Sequence, residues 1–131
     1  MTVKKYDARD VHLIVDGRVV TGFGANDMFS VSYNEDRLKV TVDAQGNTEA
    51  AINNSRLGKV TVNLSGNSVD HKRFNELGNS MKDFKLSCDT GYEIISASEC
   101  YITKLPTANY GKNTPGRSYV ITCCDLSIQV K

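Results

Sequence analysis

Residues 28–65 read MFSVSYNEDRLKVTVDAQGNTEAAINNSRLGKVTVNLS, and their alternation decides the fold. Three runs have period two, the spacing that sends successive side chains to opposite faces of a strand. Phe29, Val31 and Tyr33 share one face; Leu38, Val40 and Val42 share the next; Val60, Val62 and Leu64 share the third. The opposite faces carry Ser30 and Ser32, then Arg37, Lys39, Thr41 and Asp43, then Lys59, Thr61 and Asn63. A charged corner at residues 34–37 and a Gln45-Gly46-Asn47 turn break the runs. A sheet of this type buries one side and offers the other to water or to another subunit. Nothing in the stretch is arranged for catalysis. It reads as a part that assembles.

The flanking sequence extends the β pattern. Upstream, Val11, Leu13 and Val15 alternate with His12 and Ile14, and Asp16-Gly17 is a hairpin signal of the type I′ class. A return strand over residues 18–23 is expected, with Gly22 and Gly24 marking a bend. Downstream, Ser68 and its neighbour Asn67 can cap one helix at about residues 68–77, with Asp70 in the first turn and Gly78 as its stop. Val69, Phe74 and Leu77 form its expected apolar stripe. Phe84, Leu86 and Cys88 then alternate. A longer strand follows over about residues 92–104, with Ile95, Ala97 and Tyr101 on one face and Ile94 and Ile102 on the other. The last strand, residues 117–130, puts Tyr119, Ile121 and Cys123 opposite Val120, Cys124, Leu126, Ile128 and Val130. Apolar residues on both of its faces predict burial on both sides.

Seven or eight strands and one helix define an all-β fold, a small β-barrel or two packed antiparallel sheets with one flanking α-helix. A chain of 131 residues fits a single domain, residues 1–131. Its expected appendages are an N-terminal arm (1–9), a hairpin arm (41–56) and an exposed loop (105–116) bracketed by Pro106 and Pro115.

A net charge of +1, with acids and bases interspersed, weighs against a protein that grips nucleic acid by its phosphates. No apolar run reaches the roughly 20 residues that span a bilayer, and residues 1–7 show no secretory signal. Cys88, Cys100, Cys123 and Cys124 form no C-x-x-C pair and have no histidine at ligand spacing, so no zinc site is expected. They read as reduced, mostly buried thiols; a single disulfide, such as Cys88 to Cys100, stays open. Cys123 and Cys124 must face opposite ways. His12 reads as surface or interface, and His71 as solvated on a helix face. Neither has a carboxylate pattern that would make it a general base. Glu35, Asp36, Asp43 and Glu49 lie beside corners and on solvent faces, where interfacial pairing, with Asp36 and Arg56 as partners, competes with plain solvation. No catalytic residue, metal or cofactor is expected. A carbohydrate- or ligand-binding β-sandwich module is the alternative reading, weakened by the absence of Trp and the scatter of Tyr92, Tyr101, Tyr110 and Tyr119.

Residues 6–11 (YDARDV), 15–17 (VDG), 21–23 (TGF), 31–36 (VSYNED), 42–46 (VDAQG) and 53–64 (NNSRLGKVTVNL) occur in an order that resembles tail tube proteins of contractile-tailed bacteriophages. The resemblance covers residues 6 to about 80. It implies a non-enzymatic structural protein, synthesised in a bacterial host cytoplasm and residing in a virion tail or in a tail-like particle such as a bacteriocin. Six copies would form a ring and the rings would stack into a hollow tube, with a tail sheath protein around it and baseplate and tape-measure proteins as further partners. DNA would pass through the lumen without specific binding. On that reading the subunit-interface candidates are Asp36, Arg37, Asp43 and Arg56. The lumen-facing candidates are Ser30, Ser32, Lys39 and Thr41, and the 41–56 hairpin is an arm toward the neighbouring ring.

Overall fold

A computed structural model describes residues 5–24 and 27–130. Its ten strands are β1 (His12–Val15), β2 (Arg18–Val19), β3 (Phe29–Tyr33), β4 (Leu38–Val42), β5 (Thr48–Ile52), β6 (Gly58–Ser65), β7 (Phe84–Asp89), β8 (Glu93–Ile102), β9 (Gly116–Cys123) and β10 (Ser127–Val130). One helix, α1 (Val69–Ser80), follows β6, and a single 3-10 turn (Ala8–Asp10) precedes β1. Eight strands make one antiparallel sheet in the order β2-β1-β7-β8-β9-β6-β3, with β10 pairing the first half of β8. The expected all-β class with one flanking helix is what the chain adopts.

The sheet curls on itself. From β2 the chain crosses to the far side of the sheet, where Phe23 bridges Leu64 and the Ser65 amide donates to the Gly22 carbonyl (2.8 Å). One short segment therefore links the β2–β1 end of the strand order to β6, next to last at the other end. Alternation supplies the core: Leu13 and Val15, Val60, Val62 and Leu64, Leu86 and Cys88, and Tyr119, Ile121 and Cys123 all point inward. Asp16 and Gly17 both have positive φ (53° and 80°), as a type I′ hairpin requires.

Helix α1 caps this core through a polar clamp. The Ser68 side chain accepts from the Asp70 amide and donates to the Thr21 carbonyl (2.6 Å). Asp70, buried rather than merely facing the dipole, accepts from the Thr21 amide (2.8 Å) and pairs with Arg73 (2.7 Å). Arg73 in turn donates to the Val15 carbonyl. Phe74 and Leu77 are buried as expected, and Phe74 meets Tyr119 edge to face at 5.3 Å.

Several expectations need correction. The helix does not stop at Gly78 but runs to Ser80, and Met81 takes the left-handed conformation (φ 54°). Gly78 serves close approach instead, since a Cβ there would lie 3.2 Å from Ile102 and nearer still to Leu105. Val69 lies on the solvent side, 79% exposed. His71 is not simply solvated, because its Nδ1 lies 2.7 Å from the buried Tyr119 hydroxyl. In β8 the alternation slips after Ala97, so Cys100 and Ile102 point inward and Tyr101 does not. Asp125 causes the slip: its carboxylate accepts from the Ser98 and Glu99 amides, and the pairing with β7 shifts register at the same place. The last strand is likewise broken at residues 124–126, and Val120 remains 40% exposed, so burial is one-sided.

Candidate functional site: an unpartnered arm and a polar sheet face

The decisive departure from expectation is the second run of the opening stretch. β4 and β5 leave the barrel as a separate two-stranded sheet in register Leu38↔Ile52, Val40↔Ala50 and Val42↔Thr48. All ten strand residues are exposed. The expected burial of Leu38, Val40 and Val42 does not occur among the described residues; they are 53, 59 and 63% exposed, and Ile52 is 76% exposed. Directly paired residues of an antiparallel ladder share a face. Leu38, Val40, Val42, Ala50 and Ile52 thus form one continuous apolar stripe, and Lys39, Thr41, Glu49 and Ala51 the other face. A lone hairpin is marginally stable in water. An apolar stripe on one needs a partner.

Local hydrogen bonds hold the arm in shape. At its tip, Asp43 accepts from the Gln45 and Asn47 amides (both 2.9 Å) and the Asn47 side chain (3.1 Å). The Asn47 backbone and side-chain donors, with the Gln45 and Gly46 amides, hold the Asp43 carboxyl below its ordinary 3.8. At its base, the Asn53 side chain donates to Glu35 (2.8 Å) and the Asn53 amide to the Arg37 carbonyl (2.8 Å). Gly46 closes the tip turn with φ 89°.

The four interface candidates separate into two groups. Asp43 is engaged in its own turn. Asp36, Arg37 and Arg56 are exposed at the arm's base, where Arg37 and Arg56 line one hollow of about 250 Å³ with Ile52, Asn53 and Ser55. Among the described residues Asp36 makes no ion pair with Arg56 inside the chain, so both keep charge available to a neighbour.

The lumen candidates also separate. Ser30 and Ser32 belong to the barrel, whereas Lys39 and Thr41 lie on the arm, in the other sheet. The barrel face that carries Ser30 and Ser32 is broad and polar. Row by row it presents Ser30, Thr61 and Val120, then Ser32, Lys59, Thr122 and Tyr101, with Asn63 beside Ser118. Ser118 donates to the Asn63 side chain at 2.7 Å. The outer edge of β3 has no strand beside it among the described residues, so its backbone groups are open to pairing.

Between β3 and β10 the barrel is not zipped. A cleft of about 450 Å³ lies there, lined by Tyr6, Val11, Phe29, Val31, Ile95 and Ile128. Tyr6 stacks on Tyr92 at its rim, with ring centroids 6.3 Å apart. The exposed segment 103–115 is anchored by Arg117, whose guanidinium donates to the Tyr110 hydroxyl (2.9 Å) and lies over its ring. Residues 1–4 of the expected N-terminal arm lie outside the described residues. Among the described residues no cluster of three His, Cys, Asp or Glu side chains could hold a metal, and no helix is long and apolar enough to cross a membrane.

No family model and no curated protein matches the chain by sequence. Solved structures do match it along nearly its whole length. One is a chain of an extracellular contractile injection system, described as the PVC sheath/tube terminator in the extended state. It aligns with a TM-score of 0.63 at 12% identity, over 98% of this chain and 99% of that one. A chain of the PVC sheath-tube complex aligns with a TM-score of 0.61 at 13% identity, over 97% and 93%. A chain of the virion of a native gene transfer agent particle aligns with a TM-score of 0.66 at 9% identity, over 97% and 99%. At these identities the likeness establishes the fold. The chain shares its overall fold with these chains of injection-system and virion particles.

Proposed function

We propose that this chain is the inner-tube subunit of a contractile tail or tail-like injection particle, assembling as stacked hexameric rings inside a sheath. The carrying observation is the arm: ten exposed strand residues with an apolar stripe that none of the described residues covers. The stripe takes its cover from a neighbouring copy, within the ring or in the ring next to it. The fold shared with chains of sheath-tube and tube-terminator assemblies supports that reading.

The other open features fit the same assembly. Pairing of β3 with a neighbour's edge would satisfy its free backbone groups and carry the sheet around the ring. A head-to-tail contact whose rotation closes gives such a ring, and stacking extends it. The face bearing Ser30, Ser32, Thr61 and Thr122 would then line the bore. Apart from Lys59 the face carries hydroxyl and amide groups, which offer a passing phosphodiester little net attraction and suit a conduit for DNA or a puncturing tube. Asp36 and Arg56 would fix register between copies more than add affinity.

Electron microscopy of the purified chain and of Asp36→Arg and Arg56→Asp variants tests this. Wild type should form rings or tubes of uniform bore, and each variant should assemble more weakly while remaining folded. Unchanged assembly in both variants would remove the ion pair from the account; a wild-type chain that stays monomeric at high concentration would remove the tube.

A further inference from the structure

Three of the four cysteines are buried, and two of them face each other. Cys100 on β8 and Cys123 on β9 are direct partners in the antiparallel ladder, both fully buried, with their sulfurs 3.4 Å apart. Directly opposed residues in such ladders have Cα atoms about 4.5–5.5 Å apart. A disulfide needs roughly 4.4–6.8 Å between Cα atoms and an S–S length of about 2.05 Å. The sulfurs therefore need approach by only about 1.4 Å, without strand movement. Cys88 has no such neighbour, because its ladder partners are Leu13 and Ile95. Cys124 points to solvent on the opposite side of the strand.

We infer that Cys100 and Cys123 are a dithiol that closes to a cross-strand disulfide when the protein meets hydrogen peroxide, stapling β8 to β9. The bond would close the chain segment that contains the exposed 103–115 loop, tying its two ends together.

The pair is set for this chemistry. The Cys100 S–H donates to the Cys123 sulfur, which favours a thiolate at Cys123 against the opposing effect of burial, and raises Cys100. The Cys123 thiolate attacks one peroxide oxygen; an S–O bond forms, the O–O bond breaks, and the leaving hydroxide takes up a proton as water. Cys100 sulfur then attacks the Cys123 sulfenic acid; the S–S bond forms, the S–O bond breaks, and the second water leaves with the Cys100 proton. Two thiols and one peroxide become one disulfide and two waters. Cys88, whose thiol burial pushes up to about 12, lacks both a thiolate and a partner.

The test uses the full chain carrying Cys124→Ser, which removes the exposed thiol and its intermolecular products. Limited peroxide should lower the intact mass by two hydrogens, and peptide mapping should join Cys100 to Cys123. Thiols alkylatable in denaturant should fall from three to one, the survivor being Cys88. Closing a loop of this length should raise Tm by about 10 °C, reversed by dithiothreitol. Retention of all three thiols, oxygen addition at Cys100 or Cys123 without a cross-link, or a cystine containing Cys88 would each overturn the inference.

Discussion

Replacing Val40 by Lys puts a charge in the middle of the arm's apolar stripe, and the consequence divides cleanly between folding and assembly. Within the chain Val40 faces solvent, 59% exposed, and its cross-strand partner is Ala50. Its loss should change the unfolding free energy by at most about 1 kcal/mol, the span of β-propensity effects at exposed positions. Fully burying a Val, Leu or Ile side chain is worth about 1.5–3 kcal/mol. With half to three quarters of their surface still open, Leu38, Val40, Val42 and Ile52 each retain about 1–2 kcal/mol for a partner, roughly 4–7 kcal/mol together. Val40→Lys forfeits its share and adds the cost of desolvating an ammonium group. Each arm contact should weaken by at least about tenfold. Sedimentation velocity across a concentration series, paired with urea unfolding of the monomer, separates the two effects. Assembly at the wild-type concentration would refute the reasoning, as would a monomer destabilised well beyond 1 kcal/mol, because the stripe would then already be covered within the chain.

The remaining predictions concern the polar devices that hold the parts in place. Asp70→Ala leaves the partly buried Arg73 without its partner and the Thr21 amide without its acceptor, and should cost about 3 kcal/mol of stability in urea unfolding. Gly58→Ala should destabilise by about 1–3 kcal/mol, since a Cβ there would sit 2.9 Å from the Ser32 carbonyl and against Leu126; an unchanged midpoint would show that β3 and β6 can spread. The arm tip should loosen in acid. Asp43 is held below 3.8, so its contribution is complete above that pH and is lost as pH falls through the lower folded value. The Asn47 and Gln45 amide resonances should report that transition, and Asp43→Asn should remove it.

How much of this could be read from residues alone depends on where each residue's partner lies. The alternation of β6 and β7 gave the core directly, because their neighbours bury the inward side chains within the same chain. The Asp16-Gly17 turn was legible because its backbone demand is local. The slip in β8 was not, since the acceptor that causes it, Asp125, lies 27 residues away from Ser98. Gly78 resembled a helix stop because its close approach to Ile102 and Leu105 is a tertiary fact. The burial expected of the arm's apolar face is absent for a more informative reason. Its alternation is that of a half-buried strand, yet none of the described residues buries it. The assembled state, not the single chain, would complete the pattern. Asp43 was singled out for its charge beside a turn, and its visible work is to hold that turn.

Cryo-electron microscopy of the particles formed by the full chain shows what covers the arm. Six-fold rings stacked into a tube are expected. In them the Leu38–Ile52 stripe is covered by a neighbouring copy, and the Ser30–Ser32 face is open to the bore. Rings or tubes in which the stripe remains in solvent would contradict the proposed assembly, as would a tube whose wall is built from another face of the barrel.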